Sequence, residues 1–188
     1  MGLNNINDIE KYFLDRVAEL ENQCSEHTTW VFLCASAMIN YLVNLVNGRE
    51  TNRTDYKRFV IDYMPEGYKN FQFLNRDQNL DVQMYYTLRC GIVHNFSLFP
   101  DAKGVRAGAR ERSIALTHRD NKDGDHLSNH EGINKNLDAA LFVAEDFIND
   151  IKTAVKKIFN DARGNAGLEQ NILNWINDHP PIMSEALQ

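Results

Sequence analysis

The sequence predicts an all-α protein: one domain over residues 1–188, a bundle of four to five main helices with a small β-hairpin excursion near residues 104–130. Apolar residues recur at helical spacing over most of the chain, which is typical of amphipathic helices. A chain of 188 residues is long enough to bury one core. The segment 101–132 is glycine-rich and lacks the helical pattern, so it predicts an excursion from the bundle.

Caps, stops and apolar spacing define the predicted elements: Asn7 is the predicted cap of the first helix, and Gly48 is the predicted stop of the second. Four long helices are predicted over about residues 8–23, 25–47, 79–98 and 136–162, with shorter helices after Thr54 and over 168–177. Within the excursion, residues 112–119 alternate like a strand, and Asp123-Gly124 is a hairpin turn signal. The seven-residue repeat of the longest helix indicates helix–helix packing.

Composition excludes several classes of protein. The formal net charge of −6 argues against indiscriminate nucleic-acid binding. Three cysteines without a C-x-x-C pair predict a reducing compartment, no disulfide framework and no zinc site. The N-terminal residues lack a signal-peptide pattern, and the apolar stretch 30–46 is interrupted by polar residues. We therefore expect a cytoplasmic protein that does not enter a membrane.

The segment YYTLRCGIVHNFSL, residues 85–98, carries the clearest functional signal. It places Arg89 and His94 late in a predicted amphipathic helix, and a permanent cation beside an imidazole suits chemistry on a phosphodiester. On an ideal α-helix, five positions correspond to about 140° of rotation, so the two side chains do not share a face. Spacing alone therefore does not make a site within one helix.

A second copy of the chain would allow Arg89 and His94 to contribute to one site although they do not share a face of one helix. One stripe of the predicted helix is mostly small, and it consists of Thr87, Cys90, Gly91, His94 and Leu98. Small side chains let two backbones approach closely, and a two-fold axis between motif helices would bring two His94 rings together. Arg89 could then reach the shared cleft. We therefore expect a homodimer through the motif helix.

RNA supplies its own nucleophile, the 2′-hydroxyl. Its cleavage needs a base, an acid and a cation, which two histidines and two arginines provide without a metal or cofactor. Asn95 is a candidate to orient the phosphate or the imidazole. Arg106, Arg110 and Arg112 belong to a segment with a local charge excess, which predicts either a phosphate-tracking surface or a solvated loop.

The segment LRCGIVHNF in an all-α chain resembles HEPN domains (higher eukaryotes and prokaryotes nucleotide-binding), whose signature is Arg, four to six residues, then His. The resemblance implies a helical bundle that dimerises through its motif helices, and metal-independent endoribonuclease activity with Arg89 and His94 as catalytic residues. It also implies a place in toxin–antitoxin or phage-defence systems, with an antitoxin as partner. Cys90 departs from the polar residue that often follows the arginine. The alternative is therefore a non-catalytic module that binds RNA, nucleotide or a protein partner.

The same residues also have purely structural explanations. Arg89 could pair with Asp81 or Glu145, and His94 could simply complement the helix dipole. The histidines at 118, 126 and 130 match no common ligand spacing, so we predict no metal site. Trp30 and Trp175 are expected to be core anchors.

Overall fold

A computed structural model of the chain describes residues 3, 5–74, 79–93, 113–121, 124–131 and 138–181. The described chain is mostly helical and carries a small three-stranded sheet. Its α-helices are α1 (Ile6–Glu21), α2 (Thr28–Asn47), α3 (Arg53–Tyr63), α4 (Glu66–Asn70), α5 (Leu80–Met84), α6 (Ala144–Arg163) and α7 (Ala166–Asp178). A π-helix (Tyr85–Val93) continues α5, and the strands are β1 (Ile114–Thr117), β2 (Asn129–Glu131) and β3 (Asp138–Val143).

Local chemistry explains where the helices begin and end. Asn5 caps α1 by accepting hydrogen bonds from two backbone N–H groups, so the helix begins before the predicted Asn7 cap. Asn52 and Asp55 form a capping box at the start of α3. Gly48 ends α2 in the left-handed conformation with φ of 61°, as the sequence predicts.

The helices pack around one apolar core. α6 lies along α1, while α2 packs against α7, α6 and the π-helix. Phe32 of α2 stacks on Phe147 of α6 with ring centroids 5.4 Å apart, and both rings are fully buried. α2 is long and apolar enough to span a bilayer by length and composition alone, and here it is a packed helix. The prediction of a helical core is thus confirmed.

The β region differs from the predicted hairpin near residues 104–130. The sheet order is β1-β3-β2, with β1 parallel and β2 antiparallel to β3, so β1 and β2 do not pair. β3 occupies the start of the helix predicted from Asn136, which instead begins at Ala144. Residues 139–143 are all buried. A continuous apolar run of this length gives no periodicity that separates strand from helix, which is why the prediction was wrong.

The two tryptophans differ in their burial. Trp175 of α7 is 6% exposed and is a core residue, as predicted. Trp30, in the first turn of α2, is 58% exposed, so its assignment to the core is wrong. Its side chain lines a surface cleft between α1 and α2 instead.

Candidate functional site

The helix that carries the motif changes its hydrogen-bond pattern part-way along. The chain is α-helical over Leu80–Met84 and π-helical over Tyr85–Val93, where the backbone bonds join residues five apart. Leu88 and Ile92 of the π-helix are buried in the core. π-helical turns are uncommon and are found frequently at functional sites. His94 and Asn95 lie outside the described residues.

Arg89 lies half-buried in the π-helix and is held by three neutral acceptors. Its Nε donates to Oδ1 of Asn40 at 2.6 Å, one terminal nitrogen donates to the Tyr85 hydroxyl at 2.9 Å, and the other donates to the Thr51 carbonyl at 3.2 Å. The guanidinium carbon also lies 5.2 Å from the centroid of the Tyr85 ring. The side chain is therefore fixed by three separate parts of the fold.

The described contacts of the Arg89 guanidinium do not include a carboxylate, and they do not use all of its N–H groups. Neither ion pair considered for Arg89 is found: Nζ of Lys57 lies 3.5 Å from the Asp81 carboxylate, and Glu145 accepts the backbone N–H of Arg119. A guanidinium has five N–H groups. The three described bonds occupy one N–H on each nitrogen, so within the described residues each terminal nitrogen has one further N–H for an acceptor. Two such donors suit bidentate recognition of a phosphate.

A buried tyrosine hydroxyl lies close to this arginine. Tyr56 of α3 is 1% exposed, and its ring meets Tyr85 edge to face at 5.6 Å. Its hydroxyl has no hydrogen-bond partner among the described residues. Burial raises the pKa of Tyr56 above its usual value, while the charge of Arg89 opposes that shift. A buried hydroxyl without a hydrogen-bond partner lowers the stability of the fold, so its removal should not destabilise the protein.

The small stripe predicted to form a dimer seam is partly covered within one chain. Thr87 is fully buried, and its hydroxyl lies 3.1 Å from that of Ser113, just before β1. Gly91 is also buried, whereas Cys90 is half-buried. A contact between copies therefore cannot use Thr87 and Gly91 as exposed surface in this conformation. Dimerisation itself stays a prediction.

The predicted phosphate-binding arginines, Arg106, Arg110 and Arg112, lie outside the described residues. Arg119 follows them and is described. It forms an ion pair with Asp146 of α6 at 2.8 Å, which raises its pKa further. Arg119 is therefore engaged in the fold and does not belong to an unpaired basic surface.

The structure brings together three polar side chains that the sequence did not connect. The Tyr68 hydroxyl donates to Asp150 at 2.8 Å and lies 3.0 Å from Nε2 of His126, which in turn lies 3.1 Å from Asp150. They come from α4, from the loop before β2 and from α6. No local pattern could have found them, because the residues are 24 to 82 positions apart in the chain.

The histidine of this cluster has both ring nitrogens occupied. Nδ1 accepts the backbone N–H of Val143 at 3.0 Å, so the ring proton lies on Nε2 and points to the Tyr68–Asp150 pair. Burial, with Asp150 nearby, raises the pKa of Tyr68 well above its usual value and keeps its hydroxyl protonated. Neither nitrogen is available to a metal or a substrate. The cluster joins the β region to the helical core.

No group of three or more histidine, cysteine or acidic side chains in the described residues could hold a metal ion. His126 belongs to the cluster above, and His130 lies on β2. The described part of the chain also has a cleft of about 590 Å³ between α1 and α2, lined mostly by apolar side chains. Its arginine, Arg16, pairs with Glu19 at 2.7 Å, so the cleft suits a phosphodiester less well than the Arg89 region.

Comparisons with family models, with curated proteins and with solved structures found no match for this chain.

Proposed function

We propose that the protein is a HEPN-like, metal-independent endoribonuclease in which Arg89 binds the scissile phosphate and His94 transfers protons. Its relation to toxin–antitoxin or phage-defence systems is part of the same proposal. The observation that carries it is the environment of Arg89. Among the described residues the guanidinium bonds to neutral acceptors of Asn40, Tyr85 and Thr51, which hold its position and leave two N–H donors for an anion.

The described helix around Arg89 is π-helical, so the α-helical geometry considered for the motif does not apply there. In a π-helix the hydrogen-bonded residues are five apart, which is also the separation of Arg89 and His94 in the sequence. Positions at the repeat of the hydrogen bonds lie near one side of a helix. The 140° calculated for an α-helix therefore does not apply to the described turn that carries Arg89; His94 lies beyond the described residues, and its approach to Arg89 stays part of the proposal.

The proposed step is a transesterification. His94 removes the proton of the 2′-hydroxyl, the 2′-oxygen forms a bond to phosphorus, and the bond from phosphorus to the 5′-oxygen breaks. A second imidazole, from the second copy of the chain, donates the proton that the leaving 5′-oxygen needs. Arg89 stabilises the negative charge of the pentacovalent transition state. The products are a 2′,3′-cyclic phosphate and a 5′-hydroxyl, and the atoms and charges balance without a cofactor.

The test compares cleavage of total RNA in EDTA by the wild type, His94→Ala and Arg89→Gln. Loss of an acid–base group or of a charge-stabilising donor lowers rates by roughly 10²-fold or more, so both variants should be nearly inactive. Arg58→Gln is the matched control because Arg58 is an exposed arginine of α3. Because Arg89 joins three parts of the fold, a thermal melt of each variant accompanies the assay, and Arg89→Lys restores the charge.

Cleavage by the wild type and Arg58→Gln alone supports the enzyme. Equal background from the wild type and His94→Ala would reject it.

A further inference from the structure

Six of the seven arginines in the described part of the chain fall into two groups by their hydrogen bonds and ion pairs, and the seventh, Arg58, is exposed with its charge near Asp55. Four of them bind carboxylates: Arg16 with Glu19, Arg49 with Asp55, Arg119 with Asp146, and Arg163 with Glu10. The described hydrogen bonds of Arg53 and Arg89 go to neutral groups instead. In a protein of net charge −6, unneutralised guanidinium groups are candidates for binding an anionic ligand.

Arg53, the first residue of α3, repeats the arrangement of Arg89. Its partner is Tyr86, the residue that follows Tyr85 in the π-helix. One terminal nitrogen of Arg53 donates to the Tyr86 hydroxyl at 2.8 Å, and its guanidinium carbon lies 6.0 Å from the centroid of the Tyr86 ring. Arg89 has the same two kinds of contact with Tyr85. Arg53 is exposed, and this bond uses one of its five N–H groups. Its hydrogen bonds within the described residues therefore leave four donors for a ligand.

The two arginines belong to one patch. The rings of Tyr85 and Tyr86 are 5.3 Å apart, edge to face, so the side chains that hold the two guanidinium groups touch each other. The Thr51 carbonyl, which accepts from Arg89, lies two residues before Arg53 in the chain. The start of α3 and the π-helix thus hold two cations against adjoining tyrosine rings, one cation half-buried and one exposed.

We propose that Arg53 is a second phosphate-binding residue, which contacts a phosphate of single-stranded RNA next to the one that Arg89 binds, and that Tyr86 is its positioning residue. This rests on the proposed function for the role of Arg89. An exposed guanidinium near a half-buried one would give a strand two successive attachment points. Phosphate contacts of this kind fix the register of a strand without reading its sequence.

The experiment measures binding of a fluorescent 12-nucleotide 2′-O-methyl RNA by anisotropy over a range of salt concentrations. That probe lacks the 2′-hydroxyl nucleophile, so binding is separated from cleavage. Arg53→Gln should weaken binding roughly three- to tenfold and reduce the slope of log K against log salt by about 0.7, the loss of one single-strand phosphate contact. Tyr86→Phe should weaken binding about twofold with an unchanged slope, because the cation remains while its hydroxyl partner is lost.

The matched control is Arg58→Gln. Arg58 lies on the same helix, and five positions on an α-helix turn it about 140° from Arg53. Its slope should equal that of the wild type. Equal slopes for Arg53→Gln and Arg58→Gln would overturn the proposal, even if the wild type cleaves RNA.

A salt slope that is reduced in Arg53→Gln and unchanged in Arg58→Gln supports the proposal. This holds even if the wild type cleaves no RNA, in which case only the nuclease activity would be rejected. Absence of binding by the wild type would overturn the proposal.

Discussion

Two buried tyrosines allow one chemical change to be tested in two environments. Tyr56 and Tyr68 are each 1% exposed. The Tyr68 hydroxyl donates to Asp150 and lies within hydrogen-bond distance of His126, whereas the Tyr56 hydroxyl has no partner among the described residues. Replacing either with phenylalanine removes one oxygen from a buried site. The two variants should therefore differ only through the bonds that the oxygen makes.

The magnitudes follow from those bonds. A hydrogen bond to a charged group contributes about 1.5–3 kcal/mol, so Tyr68→Phe should lower the free energy of unfolding by that amount. Removing an unsatisfied buried hydroxyl is nearly neutral or stabilising, so Tyr56→Phe should change it by between zero and roughly +1 kcal/mol. In a chain of this size, 1 kcal/mol shifts the melting temperature by about 2–4 °C. We expect Tyr68→Phe to melt roughly 3–12 °C below the wild type.

Urea unfolding followed by circular dichroism, together with differential scanning calorimetry, measures both variants. A Tyr68→Phe protein that is at least 1.5 kcal/mol less stable than Tyr56→Phe fits the described contacts, with the threshold taken as the low end of the range above. Equal losses in the two variants would refute the reasoning, because the bonded and orphaned hydroxyls would then be energetically alike.

Three further predictions concern other parts of the fold. Gly48→Ala should cost about 1–2 kcal/mol in urea unfolding, because φ is 61° there and an added Cβ would lie 3.0 Å from a side chain of α7; unchanged stability would contradict this. The hydrogen bond from Arg49 lowers the pKa of Asp55 below its usual 3.8, so its stabilisation is present above about pH 4 and is lost at lower pH. Asp55→Asn should therefore flatten the fall in unfolding free energy below about pH 4, and an equally steep fall would count against it. Burial raises the pKa of Cys24 to about 11, so iodoacetamide near pH 8 should modify this thiol only after unfolding, as peptide mass mapping would reveal; rapid labelling of the native protein would be inconsistent with that environment.

Much of the helical fold was predictable, because its signals are local. The glycine after α2 and the apolar faces of α1, α2 and α6 are properties of neighbouring residues. α1 and α2 form close to their predicted ranges, and α6 ends close to its predicted end. β3 was not predictable in this way. The run at residues 139–143 is apolar throughout, and its state is decided by pairing with β1 and β2. The π-helix was not predicted either, because the same apolar spacing predicts an ordinary α-helix.

The candidate site shows the same division. The motif identified Arg89, but its partners Asn40 and Thr51 come from distant parts of the chain and could be found only from the fold. The Tyr68–His126–Asp150 cluster was missed for the same reason. The role of Arg53 depends on its contact with Tyr86, which is 33 residues away. His94, Asn95 and the three arginines at 106, 110 and 112 stay predictions of the sequence.

The most direct test of the account uses one RNA oligonucleotide that the wild type cuts, and its counterpart with a single 2′-deoxy substitution at the cut position, both in EDTA. If Arg89 and His94 promote attack by the 2′-hydroxyl, the first should yield a 2′,3′-cyclic phosphate and the second should stay intact. Mass spectrometry of the products reads both outcomes. Cleavage of the deoxy-substituted strand at the same position would contradict the account.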